Sequence, residues 1–154
     1  MTVELPSRPA TRPMTPQDLP ALLDLWVESW QAAYPQIDFR ARRGWAETRF
    51  AELQHNGARI LVAENDGRLA GLVTVEPGTG YIDQIVVATH AQRRGIASQL
   101  IKAARGVSPD GLELHVNQDN GAAVAFYRRE GFVIAGHDVN PSSGAPTFHM
   151  AWRA

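Results

Sequence analysis

The chain has no cysteine. That absence excludes disulfide staples, zinc–thiolate centres and any reaction through a cysteine nucleophile. Long apolar runs are missing as well, and no stretch approaches the roughly 18 residues needed to span a bilayer. The first residues carry Pro and Glu without an apolar leader core, so no secretory signal is expected and the default is a soluble cytoplasmic protein. Lysine is nearly absent: Lys102 is the only one among 15 basic residues, which face 16 acidic ones and leave a net charge of −1. With so little charge of one sign, nothing global recruits nucleic acid or an anionic membrane. The five histidines (His55, His90, His115, His137 and His149) lack ligand spacing of the His-Glu-x-x-His kind, and no metal site is expected. They read as surface or core residues, with His149 the one worth closer attention. The Gly-x-Ser-x-Gly, Walker and Rossmann patterns are also missing.

What remains is ordinary globular material, 44% apolar and 20% charged over 154 residues. That is enough for one domain with a substantial core. Residues 1–9 are Pro-rich and aperiodic and read as a loose arm before a single domain over 10–154. A short strand is expected near Thr11 to Met14. Thr15 then caps a helix with Pro16 at its first position, and Leu19, Leu22, Leu23, Trp26 and Trp30 recur on one helical face. Asp38 caps a second helix running through Trp45, Phe50 and Leu53. Strands are predicted over 59–64, 69–76 and 81–88, the first two joined by the Asn65-Asp66-Gly67-Arg68 turn. A helix over 92–105, a strand over 112–116, a helix over 120–129 closed by Gly131, and strands over 132–137 and 146–152 complete the chain. The order β-α-α-β-β-β-α-β-α-β-β predicts an α/β (α+β) fold with a mixed sheet covered by helices on both faces.

The most informative segment is Gln92-Arg93-Arg94-Gly95-Ile96-Ala97-Ser98, which follows the apolar run 81–87 and opens a helix. The first N–H groups of a helix have no intrahelical partner and sit at the positive end of its dipole. Gly95 allows a bulky ligand close to the backbone, and small Ala97 keeps the approach open. Arg93 and Arg94 add positive charge, either as direct phosphate partners or as solvated neighbours of amide contacts. The segment reads as a pyrophosphate cradle.

Two stretches resemble the GCN5-related N-acetyltransferase (GNAT) superfamily. One is Val87 through Ala97, matching the family's Gln/Arg-x-x-Gly-x-Gly/Ala, with Thr89 standing where many members have Pro. The other is Asn120 through Phe132, matching Asn-x-x-Ala-x-x-Phe-Tyr-x-x-x-Gly-Phe. The resemblance implies an acetyltransferase fold whose central sheet is splayed, and acetyl-CoA as co-substrate. It places the pyrophosphate on Gln92, Arg93, Arg94, Gly95, Ile96, Ala97 and Ser98, and the pantetheine arm along Ile85, Val86 and Val87. Asn120 is implied to touch the same arm. The acceptor is implied to be a primary amine of a small molecule or peptide, acetylated by direct transfer. Homodimers are common in the family, and nothing in this sequence demonstrates one. A non-catalytic acyl-CoA-sensing module is the competing reading.

Acyl transfer to an amine requires an amine that has lost a proton, a polarised carbonyl and a proton for the leaving thiolate. The resemblance gives the last task to Tyr127, whose alternative role is packing a helix on the sheet. A backbone N–H near Val87 is implied as the carbonyl polariser. Asp83 is the candidate base, directly or through water, because an acid within an apolar strand is costly unless solvated or paired. Its alternatives are to bind the substrate ammonium or to tie a hydrogen-bond network. Trp30 and Tyr34 are candidate acceptor-pocket residues, against core packing for Trp26 and Trp30. Glu28, Asp38 and Asp138 are further candidate ammonium partners.

Overall fold

The computed structural model describes residues 10–154; the expected arm over 1–9 lies outside the described residues. The eight strands are β1 (Ala10–Pro13), β2 (Arg59–Asn65), β3 (Arg68–Val75), β4 (Tyr81–Ile82), β5 (Ile85–Val87), β6 (Gly111–Asn117), β7 (Val133–Val139) and β8 (Pro146–Arg153). The helices are α1 (Leu19–Ala33), α2 (Arg43–His55), α3 (Ile96–Val107) and α4 (Gly121–Arg129). They form the expected α/β arrangement as two four-stranded sheets, ordered β1-β2-β3-β5 and β4-β6-β8-β7. The first is antiparallel throughout; in the second, β4 and β6 form a parallel pair.

The expected strand over 81–88 is therefore two strands with different partners. Tyr81 and Ile82 pair with Glu113 and Leu114 of β6, whereas Ile85, Val86 and Val87 pair with Val73, Leu72 and Gly71 of β3. The switch falls at Asp83 and Gln84. There the side chain of buried Thr74 replaces a regular ladder partner: Thr74 Oγ1 accepts from the Gln84 N–H at 2.9 Å, and the Thr74 N–H donates to the Gln84 carbonyl at 2.9 Å. The Gln84 side chain is also tied, accepting from Trp26 Nε1 at 3.1 Å and donating to Asp83 at 3.1 Å. Alternating polarity could reveal a strand here but not a change of neighbour.

Three local differences have plain causes. The expected start of α1 at Pro16 is a 3-10 turn over Pro16–Asp18, and the regular helix begins at Leu19. The carboxylate of Asp18 there accepts from the Thr15 N–H and from Arg12. α2 likewise follows a 3-10 turn, whose Ala41 N–H donates to Asp38 Oδ1 at 3.2 Å. The expected helix from Gln92 begins instead at Ile96, because Arg93 and Gly95 adopt left-handed conformations at φ 65° and 76°.

The core is one apolar cluster that brings together Leu22 and Trp26 of α1, Phe50 of α2, Val62 and Leu72 of the first sheet, Leu100 and Ile101 of α3, and Leu114 and Met150 of the second sheet. Gly71 makes the close approach of α3 possible. A Cβ there would lie 2.8 Å from the Val86 carbonyl oxygen and 3.0 Å from Leu100 Cδ1. No helix among the described residues is long and apolar enough to cross a membrane.

Two outcomes follow for stability. Thr74→Val keeps the shape but strips the Gln84 N–H of its acceptor, and chemical denaturation should show a loss of about 1–3 kcal/mol. Arg12 holds the Asp18 carboxyl well below its ordinary value of 3.8, chiefly by hydrogen bonding. A depressed carboxylate stabilises the fold above that ordinary value and ceases to do so as acid protonates it. Asp18→Asn should cost about 1–2 kcal/mol at pH 7, a figure discounted because Arg12 is half-exposed to screening water. Urea titrations should show that difference shrinking as pH falls below 3.8.

Candidate active site

The parting of the two sheets begins one residue past the last β4–β6 pair, Ile82 with Leu114. Beyond it the free arm of β6 runs from His115 to Asn117, and β5 diverges on the other side. Residues Gln84 and Ala88 direct their backbone bonds to Thr74 and Ala70 of β3. In an antiparallel ladder alternate residues bond to opposite sides, so Ile85 and Val87 turn their amides away from β3 and toward the opening. The Val87 carbonyl takes one protein partner there, Ser29 Oγ at 3.0 Å. Val86 is buried and bonds inward. Of the three expected strand contacts, Ile85 and the Val87 N–H thus turn toward the opening, the Val87 carbonyl is shared with Ser29, and Val86 supports them.

α3 starts at the end of the same strand. Its first intrahelical bond runs from the Gln99 N–H to the Gly95 carbonyl at 3.1 Å. The amides of Ile96, Ala97 and Ser98 therefore precede the ladder and have no helical acceptor. The Ile96 side chain is buried in the core and fixes the helix end, while Gln92, Arg93, Arg94 and Gly95 are exposed. Successive amides around left-handed residues form an anion-binding concavity. A Cβ on Gly95 would meet nothing within 4 Å, so space stands open above the turn. The residues present therefore fit a diphosphate held by backbone amides. The Ser98 hydroxyl is already engaged, donating to Glu130 Oε1 at 2.5 Å, which leaves its amide as the free group.

α4 carries the second motif. Asn120 caps it, its Oδ1 accepting from the Ala123 N–H at 3.2 Å. The cap commits one oxygen and leaves the side-chain amide available as a donor. Tyr127 is 8% exposed, with its ring edge-on to Phe126 at 5.3 Å and to Phe132 at 5.6 Å. Burial raises its phenol above the ordinary value of 10.0. It therefore stays protonated through the neutral range, which suits a proton donor.

On the α1/α2 side, Asp83 accepts from Arg49 Nη2 at 2.6 Å, from Arg49 Nε at 3.2 Å and from Gln84 Nε2 at 3.1 Å. Its carboxylate thus belongs to a network running from α2 through Gln84 to Trp26. Arg49 and Asp83 also line a cavity of about 210 Å³ together with Leu53, Thr74 and Tyr81. Trp30 stacks between Tyr34 and Phe39, at 5.8 Å from each, and its Nε1 is buried without a hydrogen-bond partner among the described residues. Tyr34 stands at the end of that stack, where its hydroxyl accepts from Asn117 Nδ2 of β6 at 3.4 Å. Trp26 is core.

One cluster escaped the sequence reading. Tyr81, His115 and Asp138 are joined by hydrogen bonds of 2.7 and 2.9 Å on one face of the second sheet, with His149 stacked on His115 at 5.1 Å. The available signal was the alternation of polar Glu113, His115 and Asn117 with apolar Leu112, Leu114 and Val116. Among the described residues no group of three or more His, Asp or Glu side chains is arranged to hold a metal ion.

Residues 19–132 match the model of the Acetyltransferase (GNAT) family. The chain is 35% identical over 136 residues to the peptidyl-lysine N-acetyltransferase YiaC of Escherichia coli K12, covering 88% of this chain and 90% of that protein. It superposes with a TM-score of 0.67 on a ribosomal-protein-alanine N-acetyltransferase from Brucella melitensis, at 25% identity over 94% of this chain and 99% of the other. The PaiA N-acetyltransferase of Thermoplasma acidophilum, solved in complex with coenzyme A, shares the fold with a TM-score of 0.77 at 19% identity, covering 96% and 99% of the two chains.

Gly95→Val puts a β-branched side chain where the backbone is left-handed, a strain of about 1–2 kcal/mol that is relieved by turning the amides away. Calorimetric titration with coenzyme A should register roughly tenfold weaker binding, with the thermal midpoint of the free protein little changed.

Proposed function

Because this chain belongs to the GNAT acetyltransferase family and uses acetyl-CoA to acylate amines, we propose that its acceptor is a primary amine presented on the α1/α2 side of the parted sheet, the lysine side chain of a peptide foremost. The observation that carries this reading is the open arm of Ile85 and Val87 leading straight into the free amides of Ile96, Ala97 and Ser98. An amide-bearing arm can add to a strand edge, and a diphosphate can rest on a helix start. The likeness to a peptidyl-lysine N-acetyltransferase over nine-tenths of both chains supports the choice of acceptor. In this reading residues 10–154 act as one acetyltransferase domain.

Acetyl-CoA supplies the activated acyl group and a thiolate that leaves without a covalent enzyme intermediate. The residues do the rest. The amides at the start of α3 hold the diphosphate, with Arg93 and Arg94 as flanking charge, and Asn120 donates to the arm. Ile85 and Val87 align that arm by peptide hydrogen bonds, and the Val87 N–H polarises the thioester carbonyl. The Tyr127 hydroxyl donates its proton to the departing sulfur. Trp30 and Tyr34 wall the acceptor side, and Tyr34, tied to Asn117, sets the width of the entrance. Asp83, whose oxygens are bonded to Arg49 and Gln84, contributes negative charge that attracts the ammonium form of the acceptor. A CoA-sensing role without transfer would leave this enclosed acceptor side without a use.

Tyr127→Phe preserves the ring packing and removes only the donor. Steady-state assays with acetyl-CoA and a lysine-containing peptide should show kcat lowered about 10–100-fold, with the KM for acetyl-CoA unchanged. An unchanged kcat would remove Tyr127 from the mechanism.

A further inference from the structure

Asp83 shares its carboxylate with the Arg49 guanidinium and with Gln84, which favours a group without a bound guanidinium as the receiver of the acceptor's proton. His115 is placed for it. It is the first residue of β6 after the last β4–β6 pair, which puts its backbone at the vertex of the opening. Its side chain shares a face with Asn117, two residues on, whose amide reaches Tyr34 of the acceptor wall. The opposite face, with Leu112, Leu114 and Val116, is buried in the core. The imidazole itself is 37% exposed and open to an incoming amine and to water.

Its hydrogen bonds set its tautomer. Asp138 is a carboxylate and only accepts, so the His115 Nε2–H donates to Asp138 Oδ2 at 2.9 Å. Nδ1 is then the bare nitrogen, and it accepts the hydroxyl proton of Tyr81 at 2.7 Å. The phenol oxygen, having donated its proton, keeps its capacity to accept a hydrogen bond.

We propose that Tyr81, His115 and Asp138 form a proton relay that deprotonates the acceptor ammonium. The Tyr81 oxygen takes a proton from the ammonium, directly or through one water, as its own hydroxyl proton passes to His115 Nδ1. The products are a neutral amine, an intact phenol and an imidazolium held between Tyr81 and the Asp138 carboxylate. The imidazolium later returns its proton to solvent. Tyr81 ends as it began, which fits a phenol whose own ionisation is opposed by burial and by the nearby Asp83 carboxylate. Tyr81 from β4 and Asp138 from β7 hydrogen-bond His115, His149 from β8 stacks on it, and Glu113 lies two residues earlier on the same face of β6. Arg153 bonds Glu113 at 2.9 Å, and His149 Nε2 lies 3.5 Å from the same oxygen. The imidazolium that forms therefore meets the Asp138 carboxylate directly, with His149 stacked beside it and the Glu113 carboxylate shared by His149 and Arg153.

This inference rests on the acetyltransfer reading above, and the test separates the two. The full chain is assayed for thiol release from acetyl-CoA with a single-lysine peptide and, separately, with spermidine, across pH. The expected result is that parent kcat falls on the acid side as the imidazole is protonated. His115→Gln and Tyr81→Phe should each lower kcat about 100-fold and abolish that acid limb, with the KM for acetyl-CoA unchanged. Asp138→Asn should give a smaller loss. Added imidazole should partly restore His115→Gly, which a purely structural role would not allow. Parent turnover with undiminished kcat in folded His115→Gln overturns the relay alone, and so does a loss in His115→Gln without one in Tyr81→Phe. Absence of parent turnover on both amines overturns the function and the relay together.

Discussion

The change of partner at Asp83 and Gln84 is the constraint on which the rest of the molecule depends. A strand that kept one neighbour would leave no opening, because its peptide groups would all be satisfied by the sheet. Here the chain bonds β6 through Tyr81 and Ile82 and then β3 through Ile85 to Val87. Thr74 makes the transition tolerable by lending a side-chain oxygen to the Gln84 N–H at the point where the ladder is irregular. Trp26 of α1, bonded to Gln84, and Arg49 of α2, bonded to Asp83, brace the same point from two helices. The opening is therefore a property of a braced kink.

The two sides of that opening carry different chemistry. Backbone groups dominate the donor side: free amides at the start of α3 and peptide edges of β5. Their geometry follows from the left-handed Arg93 and Gly95 and from the close packing of α3 over Gly71. Side chains dominate the side proposed for the acceptor, where an aromatic stack from α1 meets a polar strand face. A carrier common to many enzymes is matched by backbone, whose chemistry is the same in every chain. In the proposed reading a particular acceptor is matched by residues such as Tyr34, His115 and Asp138.

The same division explains what was legible. The glycine turn and helix start proposed as the cradle were readable because they are consecutive residues, and the Asn120–Phe132 stretch because one helix carries most of it. The aromatic spacing of Trp26, Trp30 and Tyr34 marked a helix face, yet spacing could not tell that Trp26 is core and that Tyr34 reaches β6. Asp83 stood out as an acid in an apolar strand. Its partner Arg49 lies 34 positions earlier, and nothing local linked them. His115 was passed over because its partners Tyr81 and Asp138 are 34 and 23 positions away.

By itself the sequence determined the order of helices and strands and the presence of a glycine-containing turn that opens a helix, though not the left-handed Arg93 and Gly95 that delay that helix to Ile96. Each of these depends on hydrogen bonds and steric limits within a few residues. Only the tertiary structure decided that the run 81–87 serves two sheets and that Asp83 is bonded to Arg49. It alone joined a phenol, an imidazole and a carboxylate in one line. Those facts depend on which strands lie side by side, and strand pairing is chosen by burial of the whole core rather than by any single segment.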